Sequence, residues 1–233
     1  MSPSLVSVII PVYNEAKYLG EALDSVFAQD YRPLEVIVVD DGSTDDSATI
    51  AQSYPEVVYL RQENQGPAAA RNLGITHCTG KLVAFLDADD LWTPNKLALQ
   101  TNYLKANPEV ACVIGRMKNF LQQGMEKPAW VADSMLSEDL VAFNFGALLV
   151  YRWAFDSVGM LNAKYFIHDV LDWFMRFNDL RLVSHSMQEV MQLRRLHMDN
   201  ISQAIERNNR ERIRALKDAM GRKLMRDSIH FAG

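Results

Sequence analysis

Residues 5–40 read "LVSVIIPVYNEAKYLGEALDSVFAQDYRPLEVIVVD". The run Leu5 to Val12 is apolar and rich in β-branched residues, as expected of a strand covered on both faces in a parallel sheet. Leu19, Ala22, Leu23, Val26 and Phe27 then recur at helical spacing. The triplet "YRP" ends that helix, and Leu34 to Asp40 returns to strand character. Strand, helix and strand in this order make a βαβ unit.

The alternation continues outward from that unit. "DDGSTDDS" starts a helix near Ala48 to Ser53, "VVYLR" is a short strand, "PAAARNLGITHC" a helix, and Lys81 to Leu86 ("KLVAFL") a fourth strand. Four strands alternating with three helices predict an α/β fold with a Rossmann-like, mostly parallel central sheet flanked by helices, whose ligand lies beyond the carboxyl ends of the strands. The chain has 233 residues, of which 48% are hydrophobic and 23% charged, so disorder and fibrous repeats are excluded. A formal net charge of -5 argues against a nucleic-acid partner. Two cysteines, Cys78 and Cys112, fall in core-like runs and read as buried free thiols, which suits a cytoplasmic protein. The N-terminus has no basic region or cleavage site of a signal peptide, and no apolar run reaches the ~18 residues of a membrane span.

Each strand end carries a polar cluster: "PVYNE", "DDGSTD", "QENQGPAAARN" and "DADD". Taken singly, each is explained by helix capping and turns. Their meeting at one sheet edge is harder to explain that way, because Asp40, Asp41, Asp87 and Asp89 would then repel one another in a single cleft. Such a cleft needs a cation. Carboxylate oxygens suit magnesium or manganese, and these ions commonly share their site with substrate phosphates. Gly66, Pro67 and Arg71 put a helix N-terminus and a guanidinium beside an anion; the plain alternative for Arg71 is a surface salt bridge.

The segments "VSVIIPVYNE", "VIVVDDGSTDDS", "NQGPAAARNLGI" and "GKLVAFLDADDLW" together resemble the successive motifs of glycosyltransferase family 2 and cover roughly the first 100 residues. The resemblance implies a GT-A fold and an inverting, metal-dependent transfer of one sugar from a nucleotide-diphosphate donor, most commonly a UDP-sugar, to a hydroxyl acceptor. By position it implies that Pro11, Tyr13 and Glu15 border the nucleotide and that Asp40 or Asp41 binds base and ribose. Asn64, Gly66 and Arg71 come from the third motif. Within the Asp-x-Asp motif, Asp87 and Ala88 meet the donor, Asp89 is the metal ligand, and Asp90 binds donor sugar or holds the loop.

The second half is less regular. "VACVIGRMKNFLQQ" and "NFGALLV" read as strands, and "IHDVLDWFMRF" as a helix in which Asp169 and Asp172 share one face. The family's catalytic carboxylate, which accepts the acceptor proton, is expected here. His168 and Asp169 stand where an acidic pair is common, so Asp169 is the expected base and Asp172 its alternative. Further on, "MQLRRLHMDNIS" resembles the family's Arg-x-His-x-x-Asn-x-Ser segment, which implies His197 as a metal ligand and Arg194 or Arg195 facing the leaving diphosphate. Residues 1–203 are expected to form a single GT-A domain, with a nucleotide-binding half to residue 100 and an acceptor-binding half after it. Residues 204–233 are expected to form a basic helix with an apolar stripe of Ile213, Leu216, Met220 and Leu224. That stripe either packs on the domain or touches anionic lipid, which would place the protein peripherally on the inner face of the membrane. The acceptor class stays open among glycan, lipid-linked, peptide and small-molecule hydroxyls. The competing readings are a nucleotide-sugar-binding module without transferase activity and a nucleotidyltransferase, the latter disfavoured because no Gly-rich basic loop follows the first strand.

Overall fold

A computed structural model describes residues 3–141, 144–198 and 205–230. The first strand, β1 (Val6–Val12), is central, as its continuous apolar run requires, and Val6, Val8, Ile9 and Ile10 have no exposed surface. It pairs in parallel with β2 (Leu34–Asp40) and β4 (Leu82–Phe85), while β3 (Val57–Arg61) extends the parallel set from β2. The register aligns Val12 with Asp40 and Asp40 with Arg61, so the polar clusters after these strands arrive at one edge. Helix α1 (Ala16–Phe27) follows β1, α2 (Ser47–Gln52) follows β2, and α3 (Pro67–His77) follows β3.

Beyond β4 the sheet becomes mixed. β8 (Leu148–Tyr151) runs antiparallel to both β4 and β6 (Val110–Leu121), and the long β9 (Val183–Leu196) returns parallel to β6. The two-residue strand β5 (Leu91–Trp92) pairs antiparallel with β9, and β7 (Leu140–Val141) pairs with β6. Nine strands are thus joined in one sheet among the described residues, in the order β3-β2-β1-β4-β8-β6-β9-β5 with β7 off the path. The β5–β9 pairing sets Trp92 opposite Gln192, which carries the end of β9 to the "DADD" loop.

Helix α3 lies unusually close to β1. A Cβ on Gly74 would stand 2.4 Å from the Ile9 Cγ2. Alanine is the better helix former by about 1 kcal/mol, yet overpacking of this kind costs typically 1–3 kcal/mol. Gly74→Ala is therefore expected to lower stability by roughly 1 kcal/mol, seen as a reduced urea midpoint with an unchanged slope; an unchanged or higher midpoint would show that β1 and α3 can separate at little cost.

Among the described residues the remaining helices are α4 (Lys96–Ala106), α5 (Asp133–Ser137), α6 (Trp153–Val158), α7 (Asp169–Asp179) and α8 (Ile205–His230), and a 3₁₀ turn (Phe145–Ala147) precedes β8. Helix α4 buries Lys96, Gln100 and Thr101. The Lys96 ammonium lies 4.2 Å from the Trp92 ring centroid and donates to the Gln100 Oε1 and the Leu148 carbonyl; burial pushes it well below the ordinary lysine range. Helix α7 packs Trp173, Phe174 and Phe177 into an aromatic cluster with Phe145 and Phe155.

Helix α8 lies against α7, but not through the expected stripe. Its inward face consists of Glu211, Ala215, Asp218 and Arg222. Asp218 accepts from the Tyr165 hydroxyl at 2.5 Å, Arg222 donates to Asp179 and Asp172, and Ala215 is fully buried. Ile213, Leu216 and Met220 stay exposed at 51%, 45% and 66%. The inward face is polar because it must satisfy groups of the 165–172 segment, which an apolar stripe could not do.

Candidate functional site

The two acids that end β2 are both enclosed. Asp40 accepts from the Ser43 amide at 2.7 Å, the Tyr59 hydroxyl at 2.6 Å and Arg61 at 3.1 Å. Asp41 accepts from the Gln62 side chain and from the amides of Gln65 and Gly66, at 2.7–2.9 Å. These bonds fix the loops after β2 and β3, so the two carboxylates expected at base and ribose form the rim of the cleft. Desolvation would raise the Asp40 carboxyl, but hydrogen bonds from Tyr59 and Ser43 and the charge of Arg61 outweigh it and hold the group below its ordinary value. Its contribution to stability is complete above about pH 4 and is lost as pH falls through the lowered folded-state value. The stability gap between the protein and Asp40→Asn, measured by urea unfolding, should therefore shrink between pH 7 and pH 3; a gap independent of pH would contradict this balance.

Between these loops lies a cleft of about 550 Å³ lined by Gly42, Arg61, Gln62, Glu63 and Asn64. Asn64 is exposed in it. Gly66, with φ of 89°, turns the chain into α3, and a Cβ there would stand 3.1 Å from the Phe166 ring. Tyr13 is exposed at the mouth of the loop after β1, and Pro11 is half-buried. Asn14 adopts the left-handed region that asparagine tolerates, with φ of 56°. Its side chain accepts from the Thr44 amide and its own amide donates to Ser43, which ties the first two loops together and sets the direction of Glu15.

Arg71 projects from α3 into the site and is no surface ion. Its guanidinium donates to Asp87 at 2.6 Å and to Asp169 at 2.9 Å, with the Phe145 ring centroid 5.7 Å away. Burial alone would lower its pKa, but Asp87 and Asp169 overcome this and raise it. Asp169, at the start of α7, is buried; desolvation raises its carboxyl above the ordinary range although Arg71 pulls it down. Asp172 differs in its surroundings. It accepts from Arg176 at 2.9 Å, one turn along α7, and from Arg222 of α8 at 3.4 Å. Of the two acids on this helix face, only Asp169 shares a partner with the "DADD" loop.

That loop faces the end of β9. The His197 Nε2 lies 3.0 Å from the Asp89 carboxylate, and one ligand atom each of Glu15, Asp89 and His197 fall within 4.8 Å of one another. Two carboxylates and an imidazole at this spacing fit a divalent cation: oxygen donors suit magnesium and manganese, and the nitrogen favours the transition metal of the two. Sequence reasoning placed Asp89 and His197 here but gave Glu15 to the nucleotide. Asp90 is buried and accepts from the Arg195 amide at 2.9 Å and the Gln192 side chain at 2.5 Å, bonds that hold the loop against β9. Burial, then the negative charges of Asp89 and Asp87, push its carboxyl well above the ordinary range. Ala88 is buried between these acids.

Arg195 is one of the two arginines, with Arg194, expected to face the leaving diphosphate. Its guanidinium bonds Glu21, Gln122 and the Asp89 carbonyl and sits between the Tyr18 and Phe120 rings, which makes it a cross-brace beneath the site. Arg194 is half-buried, with its charge near Asp90. Asn200 and Ser202, which complete that motif, lie outside the described residues. Tyr59, Arg61 and Gln192 were not anticipated. The β2–β3 register, with Arg61 opposite Asp40, is the signal that could have found Arg61; Gln192 has none, because it depends on a pairing far along the chain.

The model of glycosyl transferase family 2 matches residues 7–152. A Rickettsia bellii protein described as an uncharacterised glycosyltransferase is 34% identical over 222 residues, covering 89% of this chain and 32% of that protein. A Rickettsia prowazekii protein of the same description is 50% identical over 101 residues, 43% of this chain and 32% of that one. The chain spans about a third or less of the length of such relatives. Among solved structures, a mannosyltransferase from Pyrobaculum calidifontis in complex with GDP-Man and Mn2+ superposes with a TM-score of 0.73 at 23% identity, covering 94% of this chain and 65% of that one. TarS residues 1–349 from S. aureus in complex with UDP-GlcNAc gives 0.68 at 21% identity, over 85% and 60%. These likenesses identify the curled, mixed sheet as the GT-A fold. With the family model matched over more than half of its length, the chain belongs to glycosyl transferase family 2.

Proposed function

We propose that this domain moves one sugar from a nucleotide-diphosphate donor to a hydroxyl acceptor, with inversion at the anomeric carbon. The observation that carries the reading is Arg71, whose single guanidinium joins Asp87 of the donor loop to Asp169 of the acceptor-side helix. A donor and an acceptor brought to these two carboxylates meet across one buried cation. Asp169 accepts the proton of the attacking hydroxyl, and its raised carboxyl makes it a stronger base than an exposed aspartate. Arg71 holds that carboxylate in place. The loops fixed by Asp40 and Asp41 frame the nucleoside cleft, and Arg194 is the arginine assigned to the leaving diphosphate. Glu15, Asp89 and His197 would hold a divalent cation, manganese or magnesium, whose charge would offset that of the diphosphate. A single displacement with one base reverses the anomeric configuration. Asp172 serves α7 and α8 structurally.

GDP-Man and UDP-GlcNAc bind relatives of the same fold, so UDP- and GDP-sugars are the donors to try first. The acceptor is a hydroxyl of a glycan, lipid-linked, peptide or small-molecule compound. Cys78 and Cys112 are buried free thiols, which fits a reducing cytoplasm. Among the described residues no helix is long and apolar enough to cross a membrane.

Thermal unfolding with a panel of nucleoside diphosphates and nucleotide sugars tests donor binding. A ligand at about 100 times its dissociation constant adds about 2.7 kcal/mol, a rise of roughly 5–10 °C for a domain of this size. The rise is expected with manganese present and lost in Asp89→Ala. No rise with any nucleotide would overturn the reading.

A further inference from the structure

Helix α8 presents two opposed faces. Glu211, Ala215, Asp218 and Arg222, spaced four, three and four apart, form the inward face. Ile213, Leu216 and Met220, spaced three and four apart, form the outward one and remain exposed. Single exposed apolar residues are ordinary on a protein surface. Three of them aligned along one helix, directly opposite the face that packs, form a continuous stripe that the fold itself does not cover.

The charges beside the stripe indicate what covers it. Arg212 lies along one border and Lys217 along the other, both exposed. Helix α8 carries eight basic and four acidic residues, against a chain of net charge -5, so positive charge is concentrated here. Two of those acids are tied to the domain: Glu211 accepts from the amides of Phe166 and Ile167, and Asp218, itself exposed, accepts from the Tyr165 hydroxyl. A second copy docked by the same face would set like basic borders against each other. A surface with apolar interior and anionic exterior satisfies both features at once, and an interfacial helix is recognised by this combination of an apolar stripe between Lys and Arg borders.

We propose that α8 seats this domain on an anionic phospholipid surface through Ile213, Leu216 and Met220, with Arg212 and Lys217 paired to headgroups. The inward face of the same helix straps the 165–167 segment just ahead of Asp169, so the seat adjoins the acceptor side of the site. Lipid docking is independent of the transferase reading, since it needs neither donor nor metal.

Sedimentation of the whole chain with vesicles of phosphatidylcholine, with and without phosphatidylglycerol, tests it. Binding is expected to the mixed vesicles at least about tenfold more tightly than to the neutral ones, and to weaken with salt. Ile213→Asn with Leu216→Asn, and separately Arg212→Gln with Lys217→Gln, should each lower that binding by about tenfold or more. Neither pair touches the inward face, so helicity and melting temperature should stay unchanged, and nucleotide binding should be the same as in the unaltered protein. Equal binding to both vesicles, no binding to either, or binding indifferent to both pairs would overturn the proposal. So would a doubling of mass by light scattering that the Ile213/Leu216 pair abolishes, because the stripe would then belong to a dimer.

Discussion

Asp169→Asn is expected to lower the transfer rate by about 10²–10⁴ while leaving nucleotide affinity within a factor of about two. The asparagine oxygen can still accept from Arg71, so the bridge to Asp87 and the shape of the site persist. What disappears is the ability to take up a proton. The contrast is Asp172→Asn, which touches Arg176 and Arg222 and neither Arg71 nor the donor loop. Its effect should fall on thermal stability and on the seating of α8, with transfer per folded molecule little changed. Single-turnover rates of the two variants separate these roles. A large loss in Asp172→Asn with a small one in Asp169→Asn would exchange the assignments.

Arg71→Met carries the largest expected effect on stability. Removing one partner of a buried ionic cluster leaves the others uncompensated, at a cost of about 3–5 kcal/mol. Here Asp169 would be left charged in a place where its side chain is 2% exposed, whereas Asp87, at 37%, can turn to water. Burial already raises the Asp169 carboxyl, and losing Arg71 raises it further. A carboxyl whose folded-state value exceeds its unfolded one weakens the fold as pH rises through that window. The deficit of Arg71→Met should therefore be greatest at neutral pH and shrink toward pH 5, as followed by urea unfolding. A pH-independent deficit would point to lost packing against Phe145 instead.

The first half of the fold was legible because its strands are continuous apolar runs broken by Gly, Pro and Asp at each turn. Central parallel strands buried on both faces leave that pattern whatever their partners. Helix α4 left only the "TP" at its start, because it buries Lys96, Gln100 and Thr101 where a helix usually buries apolar residues, and its polar and apolar positions do not segregate. Strand β9 was seen only from Met191 onward; its earlier residues, including Glu189 and Gln188, alternate poorly, and its pairing with β6 is interrupted by register shifts. The same contrast holds within the site. Asp87, Asp89 and Arg71 could be placed from local motifs, because a strand end and a helix start determine where they point. The inward roles of Asp40, Asp90 and Arg195 depend on Tyr59, Gln192 and Glu21, partners supplied by distant pairings that no local pattern reveals. The stripe on α8 was read correctly as apolar, yet its direction depends on which groups of the 165–172 segment need partners.

The central claim is that one cleft joins the donor at Asp89 to a base at Asp169. Release of nucleoside diphosphate from a panel of nucleotide sugars, followed with manganese in the unaltered protein, Asp89→Ala and Asp169→Asn, tests it most directly. The account predicts release from at least one donor by the unaltered protein and loss of that release in both variants, with manganese-dependent nucleotide binding lost in Asp89→Ala and retained in Asp169→Asn. Undiminished release by Asp169→Asn, or no release from any donor by a protein that binds the nucleotide, would contradict it.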